Sequence, residues 1–136
     1  MSTSSPRGTR IAHIGLAVES IERILPFYRD ILGMPEVPLN NEDGALITGL
    51  AAGDSLVELL QPQQSDSPIG RFLTKRGQGI HHICFAVDDL EGTLARCKAA
   101  GLRLIDEVPR KGAEGKRIAF LHPSSTAGVL VEFTEY

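Results

Sequence analysis

The chain has 136 residues, 42% hydrophobic and 23% charged, with a formal net charge of −3, enough for one domain with a buried core. The acidic balance argues against a general nucleic-acid binder, which needs a basic face, and no apolar run approaches the ~20 residues of a membrane-spanning helix. Cys84 and Cys97 are the only cysteines; without a disulfide framework they read as reduced thiols of a cytoplasmic protein.

Residues 1–9 are small and polar and lack the apolar centre of a secretory signal, so a flexible arm is expected before a single domain over residues 10–136. Residues 11–18 alternate as a strand does. A helix is expected over residues 20–32, with Ser20 as N-cap, Gly33 as stop, and Ile21, Leu25, Tyr28 and Leu32 as its buried stripe. Pro26 interrupts it. Strands are then expected around residues 34–37, 44–50 and 55–60, closing a first module over about 10–63. A connecting helix follows at about 66–76.

A second module, about 79–136, opens with a strand over residues 80–87. A helix over 89–100 buries Leu90, Leu94 and Cys97 and stops at Gly101. Strands are expected around residues 102–108, 117–121 and 128–134, with Gly, Pro, Asn and Asp filling the turns. The pattern is βαβββ twice, an α+β fold with an antiparallel sheet.

The two modules repeat in sequence as well as in pattern. Ile11-Ala12-His13-Ile14-Gly15-Leu16-Ala17-Val18 recurs as Ile80-His81-His82-Ile83-Cys84-Phe85-Ala86-Val87, and Leu56-Val57-Glu58 recurs as Leu130-Val131-Glu132. Strand alternation puts His13 on one face with Gly15 and Ala17, and His82 with Cys84 and Ala86. The bulky aliphatic residues share the other face, where the helices pack. The histidine face is small-sided and leaves room for a ligand.

Glu58 and Glu132 lie in apolar strands, where a carboxylate is costly unless paired or bound to a cation. Pseudo-twofold symmetry brings the two His–Glu pairs together, so His13, Glu58, His82 and Glu132 are expected to hold one divalent ion. Such N/O donors suit Co, Mn, Ni, Fe or Zn. His81, by alternation, points away from His82 and reads as structural, as does His122 before its turn. Lys111, Lys116 and Arg117, around Gly112-Ala113-Glu114-Gly115, form a basic cluster beside a flexible loop.

The repeated units with His and Glu at these positions resemble the vicinal-oxygen-chelate superfamily of glyoxalases, bleomycin resistance proteins and dioxygenases. Ser67-Pro68-Ile69, Gly79-Ile80-His81-His82-Ile83, Val87-Asp88-Asp89, Phe120-Leu121-His122-Pro123 and Gly128-Val129-Leu130-Val131-Glu132 are most similar to its methylmalonyl-CoA epimerases. The resemblance spans residues 10–136. It implies an eight-stranded, partly open, barrel-like sheet with helices outside, and a homodimer. It also implies interconversion of the C2 epimers of a CoA thioester through an enolate, assisted by a divalent metal with cobalt favoured.

Glu132 is then a candidate proton-transfer residue, and Lys111, Lys116 and Arg117 are candidates for the CoA phosphates. Three positions depart from the family pattern. Glu58 stands where some epimerases carry Gln, and Ser124 where Lys is frequent. Residues 44–50 lack the carboxylate proposed elsewhere as a base, which leaves the second base unassigned. A glyoxalase I-like lyase and a metal-free binding protein of the same fold are the rival readings.

Overall fold

A computed structural model describes residues 8–112 and 115–136. Strand β1 (Arg10–Ala17) leads into α1 (Ile21–Pro26), capped by Ser20 Oγ, which accepts from Arg23 N at 3.3 Å. Pro26 has no N–H for the helical ladder, and the chain widens into a π-helical turn over Phe27–Ile31, closed by Leu32 N donating to Phe27 O. The wide turn rotates Leu32 out of the expected stripe into solvent. Ile24 instead joins Ile21, Leu25 and Tyr28 against Val18, Leu50 and Leu59.

Strands β2 (Glu36–Val37), β3 (Ala45–Ala52) and β4 (Ser55–Pro62) complete the first module. Ser67 caps the connecting helix α2 (Pro68–Arg76), with Pro68 in its first turn. The second module runs through β5 (Gly79–Val87), α3 (Leu90–Ala99), β6 (Arg110–Lys111), β7 (Arg117–Leu121) and β8 (Leu130–Glu135). The strand expected over residues 102–108 is reduced to one bridge, Leu104 to Leu121. There the Asp106 carboxylate accepts from Phe120 N at 2.9 Å, a donor that a strand carbonyl would otherwise take.

The eight strands form one sheet in the order β2-β3-β4-β1-β5-β8-β7-β6. It is mixed rather than antiparallel as expected: β1 runs parallel to β4, and β5 parallel to β8. Connectivity explains this. In the first module α1 returns the chain, so β2 starts in the direction of β1, and two further reversals leave β4 parallel to β1. The second module repeats the arrangement, and β1 and β5 join the modules antiparallel.

Helices α1 and α3 cover the bulky face of the sheet, α3 resting on Val87, Ala119 and Phe133. Helix α2 covers part of the small-residue face, with Ile69 against Ala17, Ala45 and Leu60. The sheet curls enough that Arg110 Nη1 on β6 lies 3.6 Å from Glu42 Oε1, in the turn just before β3.

Arg117 ties α3 to the sheet edge. Its guanidinium donates to both Glu91 oxygens at 2.9 Å and to Glu135 at 2.8 Å, while Glu135 accepts from the first helical N–H, Leu90 N. Hydrogen bonding to Arg117, then its charge, holds the Glu91 carboxyl below its ordinary 4.5, and the same hydrogen bond leads in lowering Glu135. Carboxyls depressed on folding stabilise the fold fully above their unfolded pKa, and that contribution is lost as pH falls through the folded values. Arg117→Gln should therefore return both carboxyls toward 4.5 in a carbon-detected NMR titration and flatten the acid limb of stability. Unmoved titrations would show that the bridge carries no such coupling.

Candidate metal centre and its cleft

The four repeat-related residues lie on two rungs of the sheet, two residues apart on β1 and so on one face. One rung runs from Glu58 on β4 through Gly15 on β1 to His82 on β5; the other runs from His13 on β1 through Cys84 on β5 to Glu132 on β8. Gly15 and Cys84 are equivalent in the repeat, and each puts a small side chain between two large ones. The glycine is required by space: a Cβ there would stand 2.2 Å from His82 Cε1.

All four side chains are buried, none more than 6% exposed. His13 Nε2 lies 2.9 Å from His82 Nε2 and 2.9 Å from Glu132 Oε1, and His82 Nε2 lies 3.1 Å from the same oxygen. Three mutual contacts among two ring nitrogens and a carboxylate oxygen cannot all be hydrogen bonds. If one nitrogen is protonated, one contact sets lone pair against lone pair; if both are, the nitrogens oppose their hydrogens. A single cation satisfies all three donors at once. Their spacing fits the ~3 Å between neighbouring ligands of an octahedral ion with bonds of ~2.1 Å.

Glu58 Oε2 approaches His13 from its other side, 3.2 Å from Nδ1. His13, Glu58 and His82 offer donor atoms that all lie within 4.8 Å of one another, and so do His13, Cys84 and Glu132. The buried cluster can thus hold a metal. Burial pushes the Glu132 carboxyl up, but hydrogen bonds from His13 and His82, with their charges, outweigh it and hold the group at about 2. Glu132 is therefore ionised at neutral pH, as a ligand must be.

His81 does not point away from His82 as alternation predicts. The β1–β5 register slips by one residue at Ala12 and again at His81, and such bulges re-aim side chains. The slip turns the His81 ring to the cleft side, where its Nδ1 meets His82 Nδ1 at 2.9 Å and its ring packs edge-on to Phe72. Burial, then the charge of His82, pushes His81 down to about 4, so it is neutral at pH 7. It is placed to fix the His82 tautomer and leave Nε2 facing the cluster. His122 stands apart as a turn cap, its Nδ1 accepting from Ser124 N at 3.0 Å.

The cluster forms the floor of a cleft with about 630 Å³ of empty space, part of it open to solvent. Its walls are mainly apolar, with Ala45, Ile47 and Leu60 from the first module, Ile69 from α2, and Ile118 and Phe120 from the second. The basic residues singled out in the sequence do not line it. Arg117 is engaged by Glu91 and Glu135, and Lys111 pairs with it across β6–β7, facing the same outer side. Lys116 is exposed, and Ala113 and Glu114 lie outside the described residues. Arg110, paired instead with cleft-lining Ile118, is the basic side chain at the rim. Glu42 was also missed; it sits in a loop, but the Asp-Gly that follows marks a tight hairpin whose closing pair is Glu42 and Ala45.

The model of the Glyoxalase/Bleomycin resistance protein/Dioxygenase superfamily matches residues 12–120. The mitochondrial methylmalonyl-CoA epimerase of Bos taurus is 38% identical over 93% of this chain and 74% of its own length. The ethylmalonyl-CoA/methylmalonyl-CoA epimerase of Cereibacter sphaeroides is 37% identical over 93% and 97%. Among solved structures, a methylmalonyl-CoA epimerase in complex with methylmalonyl-CoA and NH4+ superposes with a TM-score of 0.88 at 35% identity, over 93% of this chain and 94% of that one. Sequence and fold together place the chain in the glyoxalase/bleomycin resistance/dioxygenase superfamily and, within it, in the methylmalonyl-CoA epimerase family.

Proposed function

We propose that this protein interconverts (R)- and (S)-methylmalonyl-CoA by removing and returning the C2 proton through an enolate. The observation that carries this reading is the buried triangle of His13, His82 and Glu132 donors at the floor of an apolar cleft, in a chain whose relatives are epimerases of this substrate. His13, Glu58, His82 and Glu132 would hold one divalent ion, cobalt being favoured over Mn, Ni, Fe and Zn. When bound, that ion would draw charge from the thioester carbonyl and the carboxylate, making the C2 proton more acidic.

The chain's own residues do the rest. His81 holds the His82 ring in orientation. Ile47, Leu60, Ile118 and Phe120 keep water from the reacting carbon and pack its methyl group. Glu132, held ionised, accepts the proton on one face, and the acidified substrate supplies much of the driving force. Arg110 at the rim, with exposed Lys116, remains for the anionic arm of CoA, while Lys111 faces the outer side. The same reading carries a cytoplasmic homodimer.

Gly15→Ala tests the centre without touching a ligand. The new methyl must displace the His82 ring, and divalent-ion affinity measured by calorimetry should fall ~10–100-fold, the range for disturbing a ligand's support. Unchanged affinity would remove His82 from the ligand set. For the reaction, metal-loaded protein in deuterated water should introduce deuterium at C2 of methylmalonyl-CoA and equilibrate its epimers. Absence of exchange would sink the epimerase reading, and turnover of the methylglyoxal–glutathione hemithioacetal would replace it with a glyoxalase.

A further inference from the structure

Besides the two carboxylates of the metal cluster, Glu42 and Asp43 line the cleft among the described residues. Glu42 closes a two-residue hairpin, with Ala45 N donating to Glu42 O at 2.9 Å and Glu42 N to Ala45 O at 3.3 Å. The turn residues Asp43 and Gly44 have φ of 52° and 74°, the type I′ geometry that Asp-Gly favours. Closing residues of such a hairpin stand directly opposite and share a face of the sheet. Ala45 is buried against the cleft, and the Glu42 side chain goes with it.

The turn is also held from below. A Cβ at Gly44 would lie 3.1 Å from Ser67 Cβ, so the hairpin rests on the cap of α2. Backbone geometry therefore fixes where the Glu42 carboxylate can reach. It sits at the rim, where Arg110 approaches to 3.6 Å, while Glu58 and Glu132 lie with the histidines on the floor. The Asp43 side chain is 57% exposed, against 22% for Glu42. Ile47, two residues along β3 from Ala45, lines the cleft with an aliphatic side chain that moves no proton.

We propose that Glu42 is the second proton-transfer residue of the epimerisation, acting on the face of C2 turned away from the floor; this rests on the epimerase reading above. In one direction Glu132 takes the C2 proton, and the C–H electron pair passes into the enolate. Protonated Glu42 then gives its O–H proton to C2 on the opposite face and keeps the bonding pair as a carboxylate, whose charge Arg110 offsets. One proton has moved from Glu42 to Glu132, and turnover in reverse or exchange with water restores the starting state. Two carboxyls on opposite faces are what inversion at carbon requires.

The test follows C2 deuterium and configuration separately from each epimer, in deuterated water, with metal-loaded wild type and Glu42→Gln. The wild type should exchange both epimers. The variant should lose epimerisation by ~10²–10⁴-fold, keep exchange from one epimer with retained configuration, and lose it from the other. Calorimetric metal stoichiometry should match the wild type. Equal loss of exchange from both epimers, or undiminished epimerisation, would overturn the role of Glu42. Wild type that exchanges neither epimer would instead overturn the parent reading. Where Gln disturbs the turn, Glu42→Asp keeps a carboxyl and should show the same one-sided pattern more weakly.

Discussion

Where β1 lies antiparallel to β5, each module supplies half of one sheet, and each brings a buried histidine and a buried glutamate to the seam. A buried carboxylate is tolerated only with a compensating partner; each glutamate meets the histidine of its own module, and Glu132 also meets His13 across the seam. Each rung pairs a ligand from one module with a ligand from the other, across Gly15 or Cys84. The electrostatic demand of the centre is therefore also a demand that the modules meet in one register. A slip of one residue would send the ligands to the helix-covered face.

Much of this was legible from the repeat. His13 with His82, and Glu58 with Glu132, stood out because two separate segments recur in the same order, and the structure brings all four together. Ser20 announced its helix by cap chemistry, and Ser67 and Asp89 cap the other two in the structure. What escaped has a common physical origin, because it depends on partners that a strand does not see in its own sequence. The parallel pairing of β1 with β4 follows from counting reversals through the whole module. His81 faces the cleft because the ladder slips at that residue, and no alternation pattern records a slip. Leu32 left its stripe because Pro26 widened the turn after it.

The basic cluster shows the same limit from another side. Arg117 looked available in sequence but is committed to α3 by two carboxylates far away along the chain. Arg110, with no distinguishing neighbourhood in sequence, reaches the opposite edge of the curled sheet. Charge can be counted in a sequence, but its destination is decided by curvature.

The near-symmetry of the two rungs has a consequence for how a ligand chooses its orientation. Donors related by a twofold axis offer a chelating molecule two equivalent seats, and the floor alone gives no preference between them. Only the walls break the tie: a tight hairpin with Ala45 and Ile47 on one side, Ile118 and Phe120 on the other. A rotation, unlike a mirror, preserves handedness, so the two seats are alike and differ only in which wall each end of the ligand meets. Discrimination then falls to the divergent rim, where the duplicated halves no longer copy each other.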